Sequence, residues 1–94
     1  MHILKITTQG KKDLKKIKKR SLSDLSLVSN FINLLIEKSF SDIPSINKPH
    51  KLIGNYKDCY EAHIKPDLLI IWREEVNGIS IIRIIRVGSH SDLF

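Results

Sequence analysis

His50, His63 and His90 lie in the second half of a 94-residue chain, interleaved with the carboxylates Glu61 and Asp67 and the arginines Arg83 and Arg86. Histidine exchanges protons near neutral pH. A neighbouring carboxylate can act as a base or hold an imidazole in one tautomer, and arginine offers a two-pronged donor to phosphate. Such groups on a stiff sheet suit chemistry on an anionic substrate. Cleavage of RNA through its own 2′-hydroxyl needs a base, an acid for the leaving 5′-oxygen and positive charge at the phosphate. These residue types supply all three without a metal.

Each residue also has an ordinary structural reading. A single histidine is usually a surface residue, and His2 is left there. Arg83 reads first as structural, Trp72 and Phe94 as core or edge packing, and Asp67 after Pro66 as a turn pair. A zinc site from His50, His63, His90 and a carboxylate lacks the short paired spacing of zinc ligands, and Cys59 has no partner thiol. From chemistry alone, an enzyme stands only slightly ahead of a basic binding module.

The elements that must carry these residues are legible as periodicity. His2–Thr7 alternates as a short strand. Thr8 is the expected cap of a helix over Gln9–Arg20 with a narrow apolar stripe, Leu14 and Ile17. Ser21, followed by Asp24, caps a second helix expected from Leu22 to Ser39, whose stripe runs Leu22, Leu25, Val28, Phe31, Ile32, Leu35 and Ile36. After a proline- and serine-rich loop to Pro49 come four strand candidates: Lys51–Gly54, Lys57–Ile64, Leu68–Arg73 and Ile79–Val87. The last two are joined through Asn77-Gly78, a preferred hairpin dipeptide. This order, β-α-α and then an antiparallel meander, predicts one α+β domain over residues 1–94, with two helices on one face of a four- to five-stranded sheet. The other face is expected to be open. Alternation along the strands puts Tyr60, Ala62 and Ile64 on one face and Cys59, Glu61 and His63 on the other. It also groups Arg86 with His90, if the strand stays extended, and sets Arg83 on the opposite face.

Charge is unevenly placed. Residues 1–20 hold eight Lys or Arg and one acid, while residues 21–94 hold eight basic and nine acidic residues. Lys11, Lys12, Lys15, Lys16, Lys18 and Lys19 therefore form either a surface for a polyanion or acidic protein, or a merely solvated helix face. No apolar run approaches the roughly 18 residues of a membrane span. The N-terminal order, apolar and then basic, is the reverse of a secretory signal. With a single cysteine, the chain is expected to be cytosolic.

Two segments, PHKLIGNYKDCYEAHIKPDLLIIW and IRVGSHSDLF, resemble the YafQ branch of the RelE-like toxins of type II toxin–antitoxin systems. The matching positions are His50, Leu52, Gly54, Glu61, His63, Pro66, Asp67 and Leu69, then Arg86, Gly88, Ser89, His90, Leu93 and Phe94. The resemblance covers about half the chain closely and the first half only in kind. It implies a RelE-like ribonuclease fold and an endoribonuclease that cuts mRNA in the ribosomal A site by 2′-hydroxyl attack, without metal or other cofactor. It implies two partners: the ribosome, bound through rRNA by the basic helix, and an acidic antitoxin of the DinJ/RelB kind. It implies His90 as general acid, Arg86 as phosphate stabiliser, Asp67 with His63 as base or base-orienter, His50 as a further proton-transfer group, Glu61 as an aligned acid, and Phe94 packed on a base. Arg83 and Lys51 are further candidates for contacting substrate. Two positions depart from the pattern: Leu68 stands where many relatives have an aromatic, and Trp72 where they have tyrosine. Leu68 is the one feature favouring a degenerate toxin that binds ribosome or antitoxin without cleaving.

Overall fold

The lysine-rich segment becomes helix α1 (Thr8–Arg20) because Thr7 caps it, its hydroxyl oxygen accepting from the Gly10 N–H at 2.9 Å. The same hydroxyl donates to the Ile85 carbonyl at 2.9 Å. That second bond explains why the cap is Thr7 rather than the expected Thr8, which lies exposed. Helix α2 (Leu22–Glu37) follows with Ser21 as its cap, accepting from the Asp24 N–H. The computed structural model describes residues 2–38 and 40–94, so the expected helix end at Ser39 lies outside the described residues. The apolar stripe of α2 is buried through Val28, Phe31, Ile32 and Leu35. Leu22, expected on the same stripe, is 69% exposed, because it stands in the first turn, beyond the reach of the sheet.

Strands β1 (Ile3–Ile6), β2 (His50–Lys51), β3 (Tyr60–Lys65), β4 (Leu68–Val76) and β5 (Ser80–Gly88) form one sheet in the order β1-β5-β4-β3-β2. β1 runs parallel to β5, and the remaining neighbours are antiparallel. Lys51–Gly54 was expected as a strand, but only His50 and Lys51 pair, and the chain then coils into a 3-10 turn at Gly54–Tyr56. Both helices pack on one face over Leu68, Ile70, Trp72, Ile82, Ile84 and Val87. The opposite face is not open. Leu69 and Ile71 are covered by Cys59 and Leu93, with Leu52, Tyr56 and Ile85 around them.

A β-bulge decides which side chains face the site. Ile71 pairs with Arg86, but Trp72 pairs with Ile84, so Ile85 is an extra residue in β5. The bulge reverses the alternation beyond it. Arg83, opposite Arg73, and Arg86, opposite Ile71, therefore lie on the same outer face, and simple parity misplaces them. Nor does β5 stay extended to His90. It ends at Gly88, and Ser89 caps a one-turn helix, α3 (His90–Leu93), through a capping box with Asp92.

Helix α1 leaves the sheet so closely that Gly10 has no room for a side chain. A β-carbon there would sit 3.0 Å from Ile6 Cγ2 and 3.2 Å from the Ile84 carbonyl oxygen. Overpacking against backbone costs roughly 1–3 kcal/mol, more than the up to about 1 kcal/mol by which alanine favours a helix over glycine. Gly10→Ala should therefore lower the thermal unfolding temperature, as read by circular dichroism. An equal or higher midpoint would contradict this packing.

Candidate active site

The outer face at the Gly88 end of β5 gathers the titratable residues. His50 pairs with Glu61 across β2 and β3, and His63 with Leu69 across β3 and β4. Helix α3 folds back to bring the His90 ring to 5.7 Å from that of His63, between ring centroids. Phe94, 64% exposed, lies 6.4 Å from His90 and packs edge-on against Tyr56 at 5.8 Å.

The carboxylates are divided between the imidazoles differently from expectation. Asp67 serves His90, not His63: its Oδ1 accepts from the His90 backbone N–H at 3.0 Å and meets His90 Nδ1 at 3.2 Å. The His90 backbone N–H, and then its imidazole, hold the Asp67 carboxyl below its ordinary value of 3.8. An ionised carboxylate only accepts, so His90 Nδ1 carries a hydrogen, and Nε2 is left for proton transfer. Glu61 serves the other two. Its Oε1 lies 3.2 Å from His50 Nε2 and 3.9 Å from His63 Nε2, while its Oε2 is buried without a hydrogen-bond partner. His50 Nδ1 faces the Lys48 carbonyl at 2.9 Å. A carbonyl can only accept, so that nitrogen too carries hydrogen. The contact between His50 Nε2 and Glu61 is then a hydrogen bond only when one further proton lies between them. The pair can hold and release a proton.

Arg86 lies on the same face, with one edge of its guanidinium already engaged. Nε and Nη2 donate to Asp13 at 2.8 and 3.2 Å, and Nη2 also reaches the Asp92 carbonyl at 3.3 Å. That edge is held by a buried carboxylate of α1, while these bonds leave Nη1 unused. Asp13 also accepts from the Val87 N–H at 3.0 Å and from Gln9 Nε2 at 3.1 Å. Asp92 pairs with Lys16 at 3.0 Å and Arg20 at 3.5 Å, so the basic helix abuts α3. The Lys16 ammonium, then the Ser89 N–H and hydroxyl, hold Asp92 well below the usual carboxylate range.

Two expected contact residues stand apart. Arg83 donates twice to Glu75, at 2.8 and 3.2 Å, toward the β4–β5 hairpin and away from the histidines. Lys51 pairs with Tyr60, whose side chain packs on the helix side, so Lys51 lies on the other face from His50. Lys11, Lys12, Lys15, Lys16, Lys18 and Lys19 are all exposed. Among the described residues, no three His, Cys, Asp or Glu side chains are grouped so as to hold a metal ion, so the zinc set considered from sequence is not assembled. Leu68 and Trp72 are both buried in the core beneath the helices. Neither departure from the motif faces the site.

Sequence reasoning missed Asp13, Asp92 and Tyr56. Asp13 had a signal, as the one acid among the eight cations of the first twenty residues. Asp92 was marked only by its place three residues after Ser89. Tyr56, whose hydroxyl lies 3.5 Å from the Leu93 carbonyl, had no periodic signal because it falls in an irregular turn.

A five-stranded mixed sheet with two helices on one face and a histidine–carboxylate cluster on the other is the arrangement in which the chain matches known toxins. The family model described as "Bacterial toxin of type II toxin-antitoxin system, YafQ" matches residues 2–94. The chain belongs to that family. It is 31% identical over 86 residues to the mRNA interferase toxin YafQ of Escherichia coli K12, covering 92% of this chain and 88% of that protein. The crystal structure of YafQ from E. coli BL21(DE3) superposes with a TM-score of 0.85 at 26% identity, covering 100% of this chain and 99% of that one. The E. coli DinJ–YafQ complex superposes with a TM-score of 0.83 at 28% identity, with the same coverage.

Removing Asp13 strands a guanidinium and a buried N–H. Asp13→Ala should destabilise by about 3 kcal/mol, and Asp13→Asn by less, in denaturant unfolding; equal stability of Asp13→Ala and the parent would contradict the clamp. The acid limb gives a second test. Folded-state values below 3.8 mean that Asp67 and Asp92 stabilise fully above that pH and lose their contribution as pH falls below it. Asp92→Asn should be less stable than the parent at neutral pH, with the gap closing below about pH 3.8. A gap independent of pH would refute the assignment.

Proposed function

We propose that this chain is an mRNA interferase that cuts mRNA in the A site of the translating ribosome, by attack of the 2′-hydroxyl on the adjacent phosphate. The observation that carries the reading is the wiring of His90: Nδ1–H held by Asp67, Nε2 free, and the ring beside His63 and the exposed Phe94. In this scheme His90 Nε2 delivers the proton to the leaving 5′-oxygen. The His50–Glu61 pair takes the 2′-hydroxyl proton when it enters the reaction without its bridging proton. His63, the third imidazole, lies beside the phosphate and stabilises its added charge. Asp67 orients His90, and Phe94 stacks on a base. Arg86 holds α1, β5 and α3 together through Nε and Nη2, and its positive charge stabilises the phosphate.

The partners follow from the surface. The exposed lysines of α1 suit rRNA backbone, bound in a salt-dependent way. A cognate antitoxin is the second partner, as the DinJ–YafQ complex supports by analogy, and the exposed lysines suit an acidic one. Loss of the motif aromatic at Leu68 no longer favours a degenerate toxin, because that side chain lies in the core.

Induction of the chain in cells should arrest growth and create new mRNA 5′ ends within reading frames. His90→Ala should abolish the new ends, with a loss of at least about 100-fold, the usual share of one proton-transfer group. Equal cleavage by the two chains would defeat the assignment.

A further inference from the structure

Beside His63, at the edge of β3 beyond its short pairing with β2, lies an open groove of about 530 Å³. Its apolar walls are Ile46, Ile64 and Pro66, and His63 also lines it. Ile46 is 85% exposed, a large apolar side chain standing in water with nothing packed over it. Lys48 stands at the rim. The other rim cation, Lys65, is neutralised by Asp24 at 2.7 Å, whereas Lys48 makes no ion pair among the described residues.

The turn that builds this groove is bonded to two of the three site histidines. Asn47 Nδ2 donates to the His63 carbonyl at 2.8 Å, and the Lys48 carbonyl accepts from His50 Nδ1 at 2.9 Å. Lys48 itself adopts a left-handed backbone, φ 48°. Residues with side chains rarely adopt this conformation, and it persists where the surroundings enforce it. An occupant of the groove is thereby held in register with the site histidines.

We propose that the groove seats one nucleobase of the RNA next to the scissile phosphate, the base on the side of the cut opposite the one stacked on Phe94. This deepens the reading of the chain as an RNA-cleaving enzyme and rests on it. Three observations favour a base as the occupant. His63 is among the residues lining the groove, its ring lies 5.7 Å from that of His90, and Phe94 lies 6.4 Å further on from His90. Apolar walls suit the flat face of a base, which stacks on any such surface, and a volume of this size holds a small molecule and not a folded segment. The unpaired ammonium of Lys48 complements a neighbouring phosphate. Because the walls offer shape more than hydrogen-bond donors, the groove discriminates bases by size and stacking.

Ile46→Glu tests this without disturbing the core, since the side chain lies almost wholly in solvent. Cut sites are mapped on translated mRNA for the parent, Ile46→Glu and Phe94→Ala. The proposal expects Ile46→Glu to flatten base preference at one position beside the cut and to raise KM roughly tenfold, the size of one lost stacked base. kcat and its pH profile stay unchanged, and Phe94→Ala alters a different position. An unchanged map and KM would overturn it, as would a variant impaired only in antitoxin binding, which would make the groove a protein-docking site. Should the parent cut no RNA, the enzymatic reading fails. The groove is then tested by binding a fluorescent single-stranded RNA: tenfold weakening by Ile46→Glu supports it, and equal affinity overturns it.

Discussion

Asp13 is a carboxylate withdrawn from water beneath the end of β5, and much of the site's geometry depends on it. Burying such a charge is costly unless its lone pairs are filled. Here four donors converge: two from Arg86, the Val87 N–H and Gln9 Nε2. The carboxylate thereby fixes the position of α1 along β5. It fixes one edge of the Arg86 guanidinium. Arg86 in turn reaches the Asp92 carbonyl, while the Asp92 carboxylate reaches back to Lys16 and Arg20. Helix α3 has only four residues and could not stand alone. Its docking through these charges, together with burial of Leu93, is what gives His90 a fixed position.

The layers of the fold were legible because they are periodic. The stripe Leu25, Val28, Phe31, Ile32, Leu35 and the doubly apolar run Leu68–Trp72 each admit one placement, a helix over a sheet and a central strand. What periodicity cannot carry is a defect in the period. The extra residue Ile85 moves Arg86 to the face of Arg83, and nothing in ISIIRIIRV marks where the bulge falls. Its position comes from tertiary partners: the Ile84 and Ile85 carbonyls bind Thr7, and Val87 binds Asp13. Thr7 rather than Thr8 caps α1 for the same reason. In both cases local propensity left two options, and a long-range hydrogen bond chose between them.

The membership of the site was more legible than its wiring. The residue types and the motif named His50, Glu61, His63, Asp67 and His90, and the fold brings them near one another. Alternation correctly put Glu61 and His63 together, because β3 is regular where they sit. Pairing Asp67 with His63 failed, because Asp67 lies in the turn between β3 and β4 and His90 lies on a helix, where strand parity has no force. Leu68 and Trp72 teach the converse. A departure from a motif reads as a change in chemistry until its face is known, and both side chains point into the core.

The two wired histidines differ in a way that suits opposite roles. His90 leans on Asp67, which is exposed and holds one ring nitrogen while leaving the other to solvent. His50 has both nitrogens engaged, one by a backbone carbonyl and one by the buried Glu61. The His90 side chain is more than half exposed. The His50 ring is half-exposed, whereas Glu61 is buried and its second carboxylate oxygen has no hydrogen-bond partner among the described residues. Placing the two histidines on either side of His63 lets one substrate touch both. The short strand β2 and the one-turn helix α3, the least regular elements of the fold, are what bring them within its reach.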